Sequence, residues 1–325
     1  LTGPIALVDG TFSGTNPHAS YELQLQEIGP PHVPTLVELP EVGPHATGLG
    51  KVVANLSLPF ELRSYGWQLQ RGERRTAVDQ RRAISHRNSV IQALADVAQD
   101  TEIPEVSVRL LGPVATMVSG MLPSGQRILR DAGARADIAA AWADGATNLA
   151  SKISDVVGAR TTLIVQEHDA HQAVEGKIRS VSGADIERAL EVQEVRSAWQ
   201  LASEVDATVL VETNHQLLET AAEAGAVVMD WPTGQHKNTE RAWELIDGLV
   251  TAETPVALRL TYRSSPERYA EELIQQYVDW GLDLTALEHL RLMHRFDAES
   301  EVAVGAGLEW LRTVADHAAS YVRAL

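Results

Sequence analysis

Short apolar runs alternate with longer amphipathic stretches along this chain. The runs cover residues 5–8, 36–39, 106–111, 162–166, 208–211, 227–229, 256–261 and 290–293. Most are continuous and rich in Leu or β-branched residues, the pattern of strands buried on both faces. The run at 36–39 lies among prolines, which suit an ordered loop equally well. Helical periodicity fills the intervals at 77–97, 134–156, 185–203, 215–224, 238–249, 266–280 and 307–324. Within 134–156, Ile138, Trp142, Leu149 and Ile153 recur near helical spacing. Asp185 is placed to cap the third helix, Gly225 to end the fourth and Pro266 to open the sixth. Eight strand–helix units imply parallel strands joined by right-handed crossovers, and hence a closed (β/α)8 TIM barrel in the α/β class. Residues 1–325 read as one such domain. A Pro/Gly-rich irregular insertion at 29–72 holds six prolines. A segment of that kind either covers a pocket or wraps the barrel's base.

Composition narrows the function classes. Hydrophobic residues make up 44% and charged residues 22%, as in a packed protein rather than a disordered one. Acidic residues number 44 against 27 basic, a net charge of −17 that repels nucleic-acid phosphates. No apolar run approaches the roughly 18–20 residues needed to span a bilayer. The first residues lack the basic and small-residue pattern of a signal peptide. Neither nucleic acid nor a membrane is therefore expected as a partner. Cysteine is absent, which excludes disulfides, thiolate nucleophiles and sulfur-ligated metal sites. A reduced, cytoplasmic setting is expected.

A barrel carries its chemistry at the C-terminal ends of its strands. The polar residues found there are Asp9, Glu167, His168 and Asp169, Glu212 and His215, Asp230, Arg263, then His294, Arg295 and Asp297. Like charges converging on one mouth raise pKa values and invite a cation. Each residue also has a plainer reading, as a helix cap for Asp9 and Asp169 and as a surface residue for His215. No H-E-x-x-H, P-loop or dinucleotide fingerprint is present.

Several local motifs resemble those of one family. Gly10-Thr11-Phe12-Ser13-Gly14-Thr15 resembles the Gly-Ser-Phe-Pro-Gln-Thr segment that opens the catalytic barrel of cobalamin-independent methionine synthases. Val33-Pro34-Thr35-Leu36-Val37-Glu38-Leu39-Pro40 is similar to the LPxLPELP segment of their short actinobacterial members. Tyr65-Gly66-Trp67-Gln68-Leu69 resembles SGWRL, and Leu111-Gly112-Pro113-Val114 resembles a Gly-Pro-Val/Trp-Thr segment. Ala224-Gly225-Ala226-Val227-Val228-Met229-Asp230 is similar to AGADAVSLD. These segments run in the family's order over nearly the whole chain.

The resemblance implies a homocysteine site and a zinc ion that presents the thiol, as thiolate, to the methyl group of methyltetrahydrofolate. It places homocysteine contacts at Gly10, Thr11 and Glu167. The family's zinc-ligand positions fall near Leu210, Glu212, Asp230 and Phe296. Only carboxylates remain among them, so the zinc site is degenerate. An oxygen and nitrogen substitute would draw on Glu212 and Asp230 with His294 or Asp297, and would suit zinc or manganese. The family's catalytic His after the seventh strand has no match in Thr261-Tyr262-Arg263. Three readings follow. One is a divergent methionine-synthase-like protein without zinc, binding an amino acid or folate-like molecule. Another is an active methyl or alkyl transferase with a remodelled Glu/Asp/His site. The third is a uroporphyrinogen-decarboxylase-like enzyme, in which arginines line a mouth over an aspartate.

Overall fold

A computed structural model describes residues 3–70, 77–232, 237–296 and 301–324. Its strands are β1 (Ile5–Gly10), β2 (Phe60–Arg63), β3 (Gly66–Leu69), β4 (Glu105–Leu111), β5 (Arg160–Gln166), β6 (Thr208–Glu212), β7 (Ala226–Asp230), β8 (Val256–Arg259) and β9 (Leu290–Phe296). The helices are α1 (Pro17–Glu27), α2 (Gly48–Val53), α3 (Val78–Val97), α4 (Pro113–Ser119), α5 (Ala132–Val157), α6 (Ala170–Val174), α7 (Val192–Ser203), α8 (Leu218–Ala224), α9 (Lys237–Thr251), α10 (Pro266–Asp279) and α11 (Glu301–Ala324). Seven strands form one parallel sheet in the order β1-β9-β8-β7-β6-β5-β4, curled into a nearly closed barrel inside the helices.

Period-2 alternation divides each strand between two cores. Leu7, Ile164, Leu210, Val228, Ala257 and Met293 pack together inside the barrel, with Val33. Val8, Val108, Leu163, Val165, Val211, Met229, Leu258 and Leu292 face the helices, where Trp142, Trp199 and Trp243 are buried. That division explains why the strands read as continuous apolar runs.

The sequence pattern predicts eight strands, and the described residues form seven in the barrel. Where the second was expected, at 36–39, the wall is made by residues 33–36. Leu7 bridges Val33 and Thr35 bridges Ser107, both in parallel, so this segment joins β1 to β4 without becoming a strand. Pro34 has no N–H to give to a ladder. Thr35 pairs instead with the buried Gln24 of α1: its N–H donates to Gln24 Oε1 at 2.5 Å, and Gln24 Nε2 donates to its carbonyl at 3.0 Å.

The insertion at 29–72, described as far as residue 70 with 71 and 72 outside the described residues, is more regular than its prolines suggest. It contains α2 and the antiparallel hairpin of β2 and β3. After leaving the wall it climbs past the end of β1, where the Glu38 carbonyl accepts the Phe12 N–H at 2.9 Å. The helix predicted at 185–203 begins later, at Val192. Glu191 and Glu194 form a capping box there, while Arg179 and Ile186 bridge in the preceding loop. Helix α5 matches its expected limits closely, with Asp131 accepting the Ala134 N–H and Gly158 ending it in the left-handed conformation.

Candidate functional site

The strand faces that carry Leu7, Leu210, Val228, Ala257 and Met293 inward carry, two residues later, Asp9, Glu212, Asp230, Arg259 and Arg295. By the same alternation Arg109 of β4 also turns to the axis. Three carboxylates and three guanidinium groups thus meet at the C-terminal mouth.

Two ion-pair sets organise them. Arg109 Nη1 donates to Asp9 Oδ1 at 2.8 Å, and both side chains are buried. Arg259 bridges the other two acids, with Nη2 on Glu212 Oε1 and Nη1 on Asp230 Oδ1 at 3.2 Å. Glu212 Oε1 also lies 3.4 Å from His168 Nε2 and 3.7 Å from Arg295 Nη1. Glu212 is 1% exposed, whereas the Asp230 side chain is 81% exposed.

Electrostatics separates the acids. Burial pushes the Glu212 carboxyl up, but the His168 hydrogen bond and the charges of Arg259 and Arg109 outweigh it and hold it at about 2. Burial raises Asp9, and Arg109 only partly opposes this. Burial disfavours the Arg259 cation, yet Glu212, Asp230 and Asp9 more than compensate and push its pKa above the usual value. Four buried polar atoms in this cluster have no hydrogen-bond partner: Asp9 Oδ2, Glu212 Oε2, Arg109 Nη2 and Arg259 Nε.

Glu167 lies elsewhere. Its parity on β5 turns it out of the barrel, where it is fully buried under α4 and α7. Val114 N–H and Trp199 Nε1 donate to its Oε1 at 2.9 Å each, and Ala115 N–H donates to Oε2 at 2.7 Å. Burial still pushes its pKa to about 7. At Gly10 the end of β1 passes so close to β9 that a Cβ would stand 2.4 Å from the Phe296 carbonyl oxygen. The Thr11 N–H donates to that same carbonyl at 3.1 Å. Glu212 and Asp230 therefore share the mouth, whereas Glu167 anchors the start of α4 and Gly10 and Thr11 clasp β9.

Neither a protein-family model nor a curated protein matches the chain. Solved structures do. A methyltransferase from Methanosarcina mazei superposes with a TM-score of 0.55 at 11% identity, over 98% of this chain and 94% of that one. A B12-independent methionine synthase from Shewanella sp. W3-18-1, solved in complex with selenomethionine, gives a TM-score of 0.55 at 11% identity over 100% of both chains. The fold is an α/β barrel of the kind these two structures share. At this identity the likeness is one of fold and brings no residue roles with it.

The zinc ion implied by the sequence resemblance does not fit the residues present. Leu210 is packed in the barrel interior. Phe296 faces outward, edge-on to Phe12 at 5.6 Å between ring centroids. His294 also faces the helix layer: its Nδ1 donates to the Leu260 carbonyl at 3.2 Å, and its ring lies 5.1 Å from that of Trp310. Asp297 lies outside the described residues. Among the described residues no group of three or more His, Asp or Glu could hold a metal ion. The Glu212 and Asp230 carboxylates are turned to Arg259 instead.

Residue by residue, the sequence reading named Glu212, Asp230 and Arg295 but passed over Arg109 and Arg259. Both arginines sit inside apolar runs, and the signal that finds them is parity. Arg259 lies two residues after Ala257, and Arg109 two after Ser107, each on the inward face.

Proposed function

We propose that this protein binds a small amino-acid-like zwitterion at the barrel mouth and does not carry out zinc-thiolate methyl transfer. The observation that carries this reading is the set of four unpartnered buried atoms. Asp9 Oδ2 and Glu212 Oε2 are acceptors suited to an ammonium group, and Arg109 Nη2 and Arg259 Nε are donors suited to a carboxylate. One molecule carrying both groups would relieve four desolvated polar atoms at once, each costly when left alone. The selenomethionine bound by the Shewanella protein is a ligand of this class.

Calorimetry on the purified protein with methionine, homocysteine and methyltetrahydrofolate tests the reading. One of the amino acids should bind, and Glu212→Gln should weaken it about tenfold or more, as expected for a lost charge-assisted hydrogen bond. Formation of methionine from homocysteine and methyltetrahydrofolate would refute the second half of the proposal. Failure of both amino acids to bind would refute the first half. If a polycarboxylate tetrapyrrole bound instead, the arginine-lined decarboxylase reading would replace it.

A further inference from the structure

The disagreement between the barrel type and its donor set has a physical resolution. We propose that Arg259 is the resident cation of this mouth, occupying the place between Glu212 and Asp230 that a divalent ion would otherwise take. Its two terminal nitrogens contact one carboxylate each. Those carboxylates come from the ends of neighbouring strands β6 and β7, and Arg259 comes from β8 beside them, in register with Asp230. His168 approaches the same Glu212 oxygen from the loop after β5. Arg295 Nη1 also lies 3.7 Å from Glu212, but Arg259 is the guanidinium that contacts both carboxylates.

The exchange of ion for guanidinium changes what the mouth can do. A guanidinium supplies charge and directed N–H donors, but it has no coordination position to offer a thiol. It keeps its proton, because its carboxylates hold its pKa above the usual value. It is suited to an oxyanion rather than to a sulfur nucleophile. It also shields Glu212, whose remaining oxygen is buried without a partner. Without the Arg259 guanidinium, Glu212 and Asp230 would lose the cation that bridges them, and Arg295 would remain 3.7 Å from Glu212. As placed around Arg259, Glu212, Asp230 and His168 form no metal-holding group; released from it, their oxygen and nitrogen donors are of the kind that zinc or manganese takes.

The inference concerns the same mouth as the amino-acid reading but does not rest on it, since metal uptake is read with no organic ligand present. Wild type, Arg259→Ala, Glu212→Gln and the double variant are each dialysed against Zn²⁺ and then against buffer. Bound metal is measured by mass spectrometry, with far-ultraviolet circular dichroism to confirm folding. Wild type should retain no more zinc than Glu212→Gln does. Arg259→Ala should gain about one ion per chain, and the gain should vanish in the double variant. If Arg259→Ala does not fold, Arg259→Met, closer in volume, carries the same comparison. A folded Arg259 variant that gains no metal overturns the proposal. So does wild type holding a stoichiometric ion that Glu212→Gln removes.

Discussion

Glu167 and Glu212 are joined through the backbone, the Glu167 N–H donating to the Glu212 carbonyl at 2.7 Å, yet their carboxyls face opposite cores. Glu167 fixes the first turn of α4 from below, and Gly112 makes room for it. A Cβ at Gly112 would meet Glu167 Oε1 at 2.4 Å and Val165 Cγ1 at 2.6 Å. The oxygen cannot swing away cheaply, because three N–H groups hold the carboxylate in place. Gly112→Ala should therefore cost about 1–3 kcal/mol as an overpacking change, read as a lower midpoint in urea denaturation. An unchanged midpoint would mean that the α4 junction yields freely. The two glutamates also mark what sequence reading can reach. Both end apolar runs, but one residue of offset in strand phase sends Glu212 to the mouth and Glu167 to the helices.

At the scale of elements, the least regular part of the wall is the segment 33–36. Here the chain replaces a strand with four backbone bonds to β1 and β4 and the paired bonds of Gln24 to Thr35. Gln24 is fully buried, so its removal leaves the Thr35 N–H and carbonyl without partners. Gln24→Ala should destabilise the protein by about 2–4 kcal/mol, given about 1–3 kcal/mol for each buried group left unsatisfied. Guanidinium denaturation measures it, and a loss well below 1 kcal/mol would show that this closure is not held from α1. The apolar run at 36–39 marks the neighbourhood of this wall segment, but Pro34 and the side-chain pairing move the wall contact upstream. Helix α1 escaped the sequence reading because its apolar residues show little helical periodicity. Its buried face is Ser20, Tyr21 and Gln24, of which Tyr21 accepts the Val37 N–H and Gln24 pairs with Thr35 in the neighbouring loop.

For the whole molecule, the acidic surplus makes pH the sharpest probe of the mouth. Glu212 is held at about 2 against an ordinary value of 4.5. A depressed folded value contributes stability above pH 4.5 that is lost as the pH falls toward 2. Glu167 has the opposite sign. Raised to about 7, it contributes stability that is complete below 4.5 and lost as the pH rises through 7. Thermal melts from pH 2 to 8 should show the wild-type Tm falling more steeply below 4.5 than that of Glu212→Gln. Between 4.5 and 7, wild type should lose stability that Glu167→Gln does not lose. Parallel curves for wild type and Glu212→Gln in acid would remove the ion-pair account of the mouth.

The strand–helix alternation encodes the barrel class, because burial on both faces and strand phase are local properties of the chain. The lack of cysteine equally settles that no thiolate ligates a metal here. Which charges meet was decided only in three dimensions. Asp9 and Arg109 stand 100 residues apart, and Glu212 and Arg259 stand 47 apart. They become partners through the register of strands whose order in the sheet no local pattern states. An inward arginine on one strand meets an inward carboxylate on another only when the closed wall brings their ends to the same height, and there burial makes the pairing strong.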